Sequence, residues 1–114
     1  MAHDLELYTV APTDSIRVAM EKIEANKHRV VVVVDDGIVV GTVSDGDIRR
    51  AFLHDVLAIA PVNQIMQLNP HVTTERDPDA LAQLVVREKI TVLPIVTEDN
   101  RLVDVALAYE PFAG

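Results

Sequence analysis

Cysteine and tryptophan are both missing from this chain of 114 residues. Without cysteine there is no disulfide scaffold, no thiolate metal ligand and no thiol nucleophile. The absence fits a reducing, cytoplasmic setting. Aromatic side chains are scarce, two Tyr and two Phe, so the core has to be built from Val, Ile, Leu, Ala and Met. Long apolar runs are lacking too. None approaches the ~18 residues that a membrane helix needs, and Met1 to Glu6 shows no basic-then-apolar order of a signal peptide. Positive charge is in the minority, with a net charge of −8, which argues against nucleic acid as a partner. A small anion is still allowed, because local donors can hold one inside an acidic protein.

The usual catalytic groups are also thin. Ser15 and Ser44 are the only serines, and neither sits in Gly-x-Ser-x-Gly. His3, His28, His54 and His71 show no paired ligand spacing. Asp45-Gly46-Asp47 lacks the further ligands and closing Glu of a calcium loop and reads as a solvated turn. No metal site and no catalytic residue is expected, and the chain reads as non-enzymatic.

What is present is apolar and ordered. Hydrophobic residues make up 49% of the chain, too many for disorder. At this length folding buries roughly 65% of the unfolded surface, enough for a core. Tyr8 to Ala11 reads as a short strand. Thr13 or Asp14 caps a helix whose stripe is Ile16, Ala19, Met20 and Ile23. Val30 to Val34 is β-branched throughout, which suits a strand covered on both faces. Asp36-Gly37 is a hairpin turn, Ile38 to Val43 the returning strand, Ser44 to Asp47 a tight turn, and Ile48 to about His54 a second helix.

The plan then repeats with a period of about 60 residues. Val72 to Thr74 is a short strand and Asp77-Pro78 a helix start. Leu81, Leu84 and Val85 form its stripe. Thr91 to Val96 and Leu102 to Leu107 are strands joined at Asp99-Asn100. The first passage from helix to strand reads as a few residues longer than the second. Pro61 to Pro70, with a short helix at Asn63 to Met66, connects the halves. A repeat this short can hardly bury its own core, so the two should pack together. The second repeat stops early, with the counterpart of Ile48 to His54 largely missing, as expected of a fragment of a longer protein.

The segment Gly41 to Arg50 carries the chemistry. It runs from a strand into a helix start, where free N–H groups and the positive dipole end favour an anion. Ser44 adds a hydroxyl, and Asp47 a carboxylate able to accept two bonds from a vicinal diol such as a ribose. Arg49 and Arg50 supply cations for a phosphate. Ser44-x-x-Asp47 is equally a capping box, and one residue can serve as both cap and ligand.

These residues lead to a family. Gly41-x-x-Ser44-x-x-Asp47, after Val32-Val33-Val34-Asp35 and Asp36-Gly37, resembles the ligand signature of CBS domains. Leu93-Pro94-Ile95-Val96 resembles that family's apolar-Pro strand, and Asn63-Gln64-Ile65-Met66 with Pro70 the opening of a second repeat. Thr42 to Arg50 resembles the CBS pairs fused to bacterial sugar-phosphate nucleotidyltransferases. The resemblance implies an α+β fold of tandem β-α-β-β-α repeats, packed as a pseudo-twofold pair with small mixed sheets and outer helices. Residues 7–60 would be the first repeat and 61–114 the second. It implies a regulatory module that binds an adenosine compound (AMP, ADP, ATP or S-adenosylmethionine) and controls an attached or associated nucleotidyltransferase. Ser44 and Asp47 would hold phosphate or ribose, with Arg49 and Arg50 beside them. Val10, Ala11 and the Arg29, Val30, Val31 backbone would line the base. In the second cleft Asp104 stands at the Gly position, Leu107 at the hydroxyl position and Glu110 at the acid position; only the acid character survives, so a single ligand is expected. The alternative is a ligand-independent assembly module. A homodimer is expected either way, from the apolar Ala51, Phe52, Leu57 and Ile59.

Overall fold

The computed structural model describes residues 3–108. In the first half, β1 (Thr9–Val10), α1 (Ile16–Asn26), β2 (Val30–Asp35), β3 (Ile38–Ser44) and α2 (Asp45–Leu53) follow one another. The sheet order is β1-β2-β3, with β1 parallel and β3 antiparallel to β2. A one-turn 3-10 helix at Val62–Gln64 lies in the connection. The second half supplies α3 (Pro78–Arg87), β4 (Val92–Val96) and β5 (Leu102–Leu107), the two strands antiparallel. The expected α+β repeat architecture, with small mixed sheets, is the architecture found.

Local chemistry explains these elements. Ser15, not Thr13 or Asp14, caps α1 by accepting from the Val18 N–H. Asp14 instead accepts from the Ala11 N–H at 2.8 Å. The buried stripe of α1 is Ile16, Ala19, Ile23 and Asn26, while Met20 is exposed. Asn26 enters the core because its amide is satisfied there. It donates to the carbonyls of Leu7 and Val30 and accepts from the His28 N–H. Asp36 and Gly37 both adopt positive φ, 51° and 84°, the pairing that a two-residue hairpin turn demands. The interval from helix cap to strand start, Ser15 to Val30 and Asp77 to Val92, is the same in both halves. The first passage is therefore not the longer one.

Two other expectations change. No turn separates β3 from α2. Ser44 ends the strand and caps the helix at once, so Asp45 is already helical. The strand expected at Val72 to Thr74 is a single parallel bridge, Thr73 to Ile95. There the Thr73 N–H donates to the Pro94 carbonyl and the Val96 N–H to the Thr73 carbonyl. In the first half a further bond, from the Val32 N–H to the Tyr8 carbonyl, extends the pairing. Its counterpart would start from residue 94, and proline has no N–H to give. Pro94 thus shortens the edge.

Among the described residues, three apolar clusters form the core. Val31, Val33 and Val43 pack beneath α1 and α2 on the outer face of the first sheet. Leu93, Ile95 and Ala106 pack beneath α3 on the outer face of the second. Between the sheets, Tyr8, Val32 and Val39 meet Val92, Val96 and Val105. The uniform valine run is therefore covered on both faces, as its composition predicts. Hydrogen bonds stitch the repeats at both ends of this seam. The Val39 and Leu102 N–H groups donate across to Asn100 and Gly37, and the Thr91 hydroxyl donates to the His28 carbonyl at 2.9 Å.

Candidate functional site

The helix start at Ser44 organises the site. The Ser44 hydroxyl accepts from the Asp47 N–H at 3.2 Å, and Asp47 Oδ2 accepts from the Ser44 N–H at 2.9 Å. This is the full capping box, with the Ser44 hydroxyl also donating to Asp47 Oδ2 at 3.0 Å. Asp47 Oδ1 accepts from Arg50 Nη2 at 2.7 Å and from Gln67 Nε2 at 2.9 Å. Burial alone would raise the carboxyl's pKa. The bonds from Gln67, from the Ser44 N–H and hydroxyl, and from Arg50 outweigh it and hold the group below its ordinary 3.8. Asp47 is therefore a buried, ionised carboxylate.

Around it opens a cleft of about 480 Å³ between the two repeats. Val30, Thr42, Ser44, Asp47 and Arg50 come from the first repeat, 67–71 from the connection, and 89–92 from the second. Arg50, His71 and Lys89 bring positive or protonatable groups, and Asp47 is the only acid among the lining residues. In a chain of net charge −8, that wall suits an anion with a hydroxyl-bearing body.

Of the residues singled out from sequence, Ser44, Asp47, Arg50 and Val30 meet in this cleft. The others lie elsewhere. Val10 and Val31 belong to the cluster under α1. Ala11 and Arg29 are exposed, and the Arg29 carbonyl serves α2 by accepting the Asp45 N–H at 3.0 Å. Arg49 borders a separate groove with Phe52 and Leu53. The reason is geometric. The sheets face each other, so the signature of one repeat looks at the helix-to-strand passage of the other. The facing passage is 89–92, not Arg29 to Val31. Lys89 and Thr91 were missed for this reason, and a twofold projection of Arg29 to Val31 onto the second repeat would have found Thr91. Gln67 and His71 come from the connection, which no signature residue marks.

The second signature is partly engaged by protein, although Asp104 and Leu107 also line a cavity of about 520 Å³ with His3 and Arg76. Asp104 accepts from the His3 N–H at 3.1 Å, with His3 Nδ1 at 3.4 Å. Leu107 packs against the central cluster. Glu110 lies outside the described residues. Tyr8 and His28 are buried nearby, with the Tyr8 hydroxyl 3.1 Å from His28 Nδ1. Asp45-Gly46-Asp47 is the first turn of a helix and not a solvated turn. Among the described residues no three His, Asp or Glu groups gather as a metal site, and no helix is long and apolar enough to cross a membrane.

Comparison with known proteins follows the same lines. Residues 2–54 match the family model of the CBS domain. CBSX2, solved in complex with AMP, superposes with a TM-score of 0.72 at 26% identity, covering 95% of this chain and 86% of its own. AcuB of Vibrio cholerae superposes at 0.78 with 25% identity, covering 94% and 78%. The CBS domain protein PAE2072 of Pyrobaculum aerophilum, complexed with AMP, gives 0.70 at 22%, covering 90% and 85%. No curated protein sequence matches the chain.

Proposed function

We propose that this chain, a CBS pair by fold with a CBS domain over its first half, is a regulatory module that senses an adenosine nucleotide in the cleft between its repeats. CBS domains are regulatory rather than catalytic modules, and that role is the premise. The observation that carries the proposal is the cleft wall. A buried, ionised Asp47 stands beside Arg50, Lys89 and His71 in an otherwise acidic protein. A ribose hydroxyl suits the carboxylate, and a phosphate suits the cations. AMP in CBSX2 and PAE2072 supports the same ligand class here, with ADP and ATP as further candidate effectors. The resemblance of Thr42 to Arg50 to nucleotidyltransferase-fused pairs supports control of such an enzyme, attached or associated, in the cytoplasm.

Titration calorimetry against AMP, ADP and ATP tests the sensing role. At a hundredfold excess over its dissociation constant the ligand stabilises the fold by ~2.7 kcal/mol. If none of the three binds or shifts the melting point at millimolar concentration, the reading fails. The coding sequence flanking the chain tests the nucleotidyltransferase link. A second reading, an assembly module needing no ligand, draws on the exposed apolar side chains Leu53, Leu57 and Ile59, 76%, 67% and 80% exposed. A dimer indifferent to all three nucleotides would favour it.

A further inference from the structure

The Asp47 carboxylate is already full. A carboxylate offers about four lone-pair positions, and four donors use them: the Ser44 N–H and hydroxyl on Oδ2, and Arg50 and Gln67 on Oδ1. A ligand hydroxyl reaches Asp47 only by displacing one of them. The two donors on Oδ2 belong to the helix cap, and moving them would unmake the start of α2. Arg50 stays useful beside an anionic ligand. Gln67 is the group left to move. It is exposed, while its backbone is pinned. The Gln67 N–H donates to the Thr42 carbonyl at 2.8 Å, and the Thr42 N–H donates back at 3.1 Å. The side chain can therefore swing without disturbing the fold.

Gln67 is also placed to report its state. It lies in the connection between the repeats, and the residues that follow it, 68–71, line the same cleft. The mirror segment near His3 packs instead on Asp104, so this arrangement belongs to one cleft alone.

We propose that Gln67 is a latch that mimics a ligand hydroxyl. Its amide N–H holds Asp47 Oδ1 in the ligand-free state, and a diol-bearing nucleotide competes it away. The latch rests on the ribonucleotide reading above. It makes Gln67 a determinant of affinity and of selectivity for ribose over deoxyribose, through competition rather than contact.

The test compares the wild-type chain with Gln67→Met and Gln67→Ala by calorimetry, using AMP and 2′,3′-dideoxy-AMP as probes. The Met variant keeps bulk and loses the donor, and the Ala variant loses both. Both are expected to bind AMP about tenfold tighter, since a hydrogen bond to a charged acceptor no longer has to be broken. The dideoxy nucleotide, which does not need Oδ1, is expected to bind all three proteins alike. Unchanged or weaker AMP binding by both variants, beside a wild type that binds, overturns the latch alone. An equal gain for the dideoxy nucleotide also overturns it, by showing a steric plug. No binding of AMP to any of the three proteins overturns the ribonucleotide reading itself, and the latch with it. Melting curves confirm that the variants are folded.

Discussion

Asp47 is the residue at which the helix cap and the proposed ligand site coincide, and the two roles separate experimentally. Replacing it with Ala removes a charged acceptor from the cleft and is expected to weaken ribonucleotide binding by about 1.5–3 kcal/mol. Calorimetry that finds the same affinity in a folded Asp47→Ala protein would sink the ribose role. Loss of the box also costs the ligand-free fold about 1 kcal/mol. The lowered pKa gives a second handle. A carboxyl whose folded pKa lies below its unfolded one adds stability that is present above about pH 4 and is lost as pH falls through the folded value. Wild type should therefore exceed Asp47→Asn in urea midpoint near neutrality, and the gap should narrow as pH falls below that range. A gap that stays constant as pH falls from about 4 through the folded value would contradict an ionised, hydrogen-bonded Asp47.

Pro94 shows how one residue sets the extent of an element. It is fully buried in β4, and its missing N–H is the reason that the Val72 to Thr74 edge pairs through Thr73 alone. The carbonyl of His71, which faces residue 94 by analogy with Tyr8 and Val32, is thereby released from the sheet, and His71 joins the cleft wall. Pro94→Val supplies a donor in a side chain of similar size. The amide of residue 94 is expected to be protected in hydrogen exchange, by pairing with His71. An amide that exchanges like an exposed loop N–H would show that some other feature shortens the strand. At the other end of the first repeat, β3 passes into α2 without a turn because Ser44 satisfies both elements. Gly41 upstream lets the connection come close, since a Cβ there would lie 2.8 Å from the Gln67 carbonyl oxygen.

At the scale of the whole molecule the two clefts are unequal. One is lined by cations around Asp47. In the other, Asp104 is engaged by His3 and the half-buried Leu107 packs against the central cluster. Leu107 has no polar atom to offer, and Asp104 repels phosphate. Titration with AMP should therefore saturate at one nucleotide per chain, and two equal sites would refute the asymmetry. The outer surface bears on assembly. Ala51 is buried inward, while Phe52 and Leu53 on α2, with Leu57 and Ile59 after it, are exposed. A second copy related by a twofold axis would cover them, and roughly 800 Å² per partner makes an ordinary stable interface. The charge of −8 opposes this, but salt screens it over about 8 Å at physiological strength. Light scattering is expected to report a dimer in moderate salt, and Leu53→Asp with Ile59→Asp to reduce it to a monomer. A wild-type monomer at high concentration would exclude this interface.

The division between what was legible and what was not follows the range of each interaction. Patterns within a few residues determined the elements: the valine run, the Asp36-Gly37 turn, the Asp77-Pro78 helix start and the Ser44-x-x-Asp47 box are local preferences of backbone and side chain. The repeat of those patterns determined that two halves must share a core. Where preferences compete, neighbours decided. Asn26 displaced Met20 from the stripe because distant carbonyls satisfy its amide, and Ser15 took the cap from Asp14 because Asp14 serves the Ala11 N–H. The cleft depended most on tertiary structure. Its walls come from segments up to some 60 positions apart in sequence. The bridge to Thr42 brings Gln67 to Asp47, and only the facing of the two sheets brings Lys89 into the same cleft. Those contacts leave no local periodicity to read. They arise because a strand's two faces look at different partners, and which partner it meets is settled by packing.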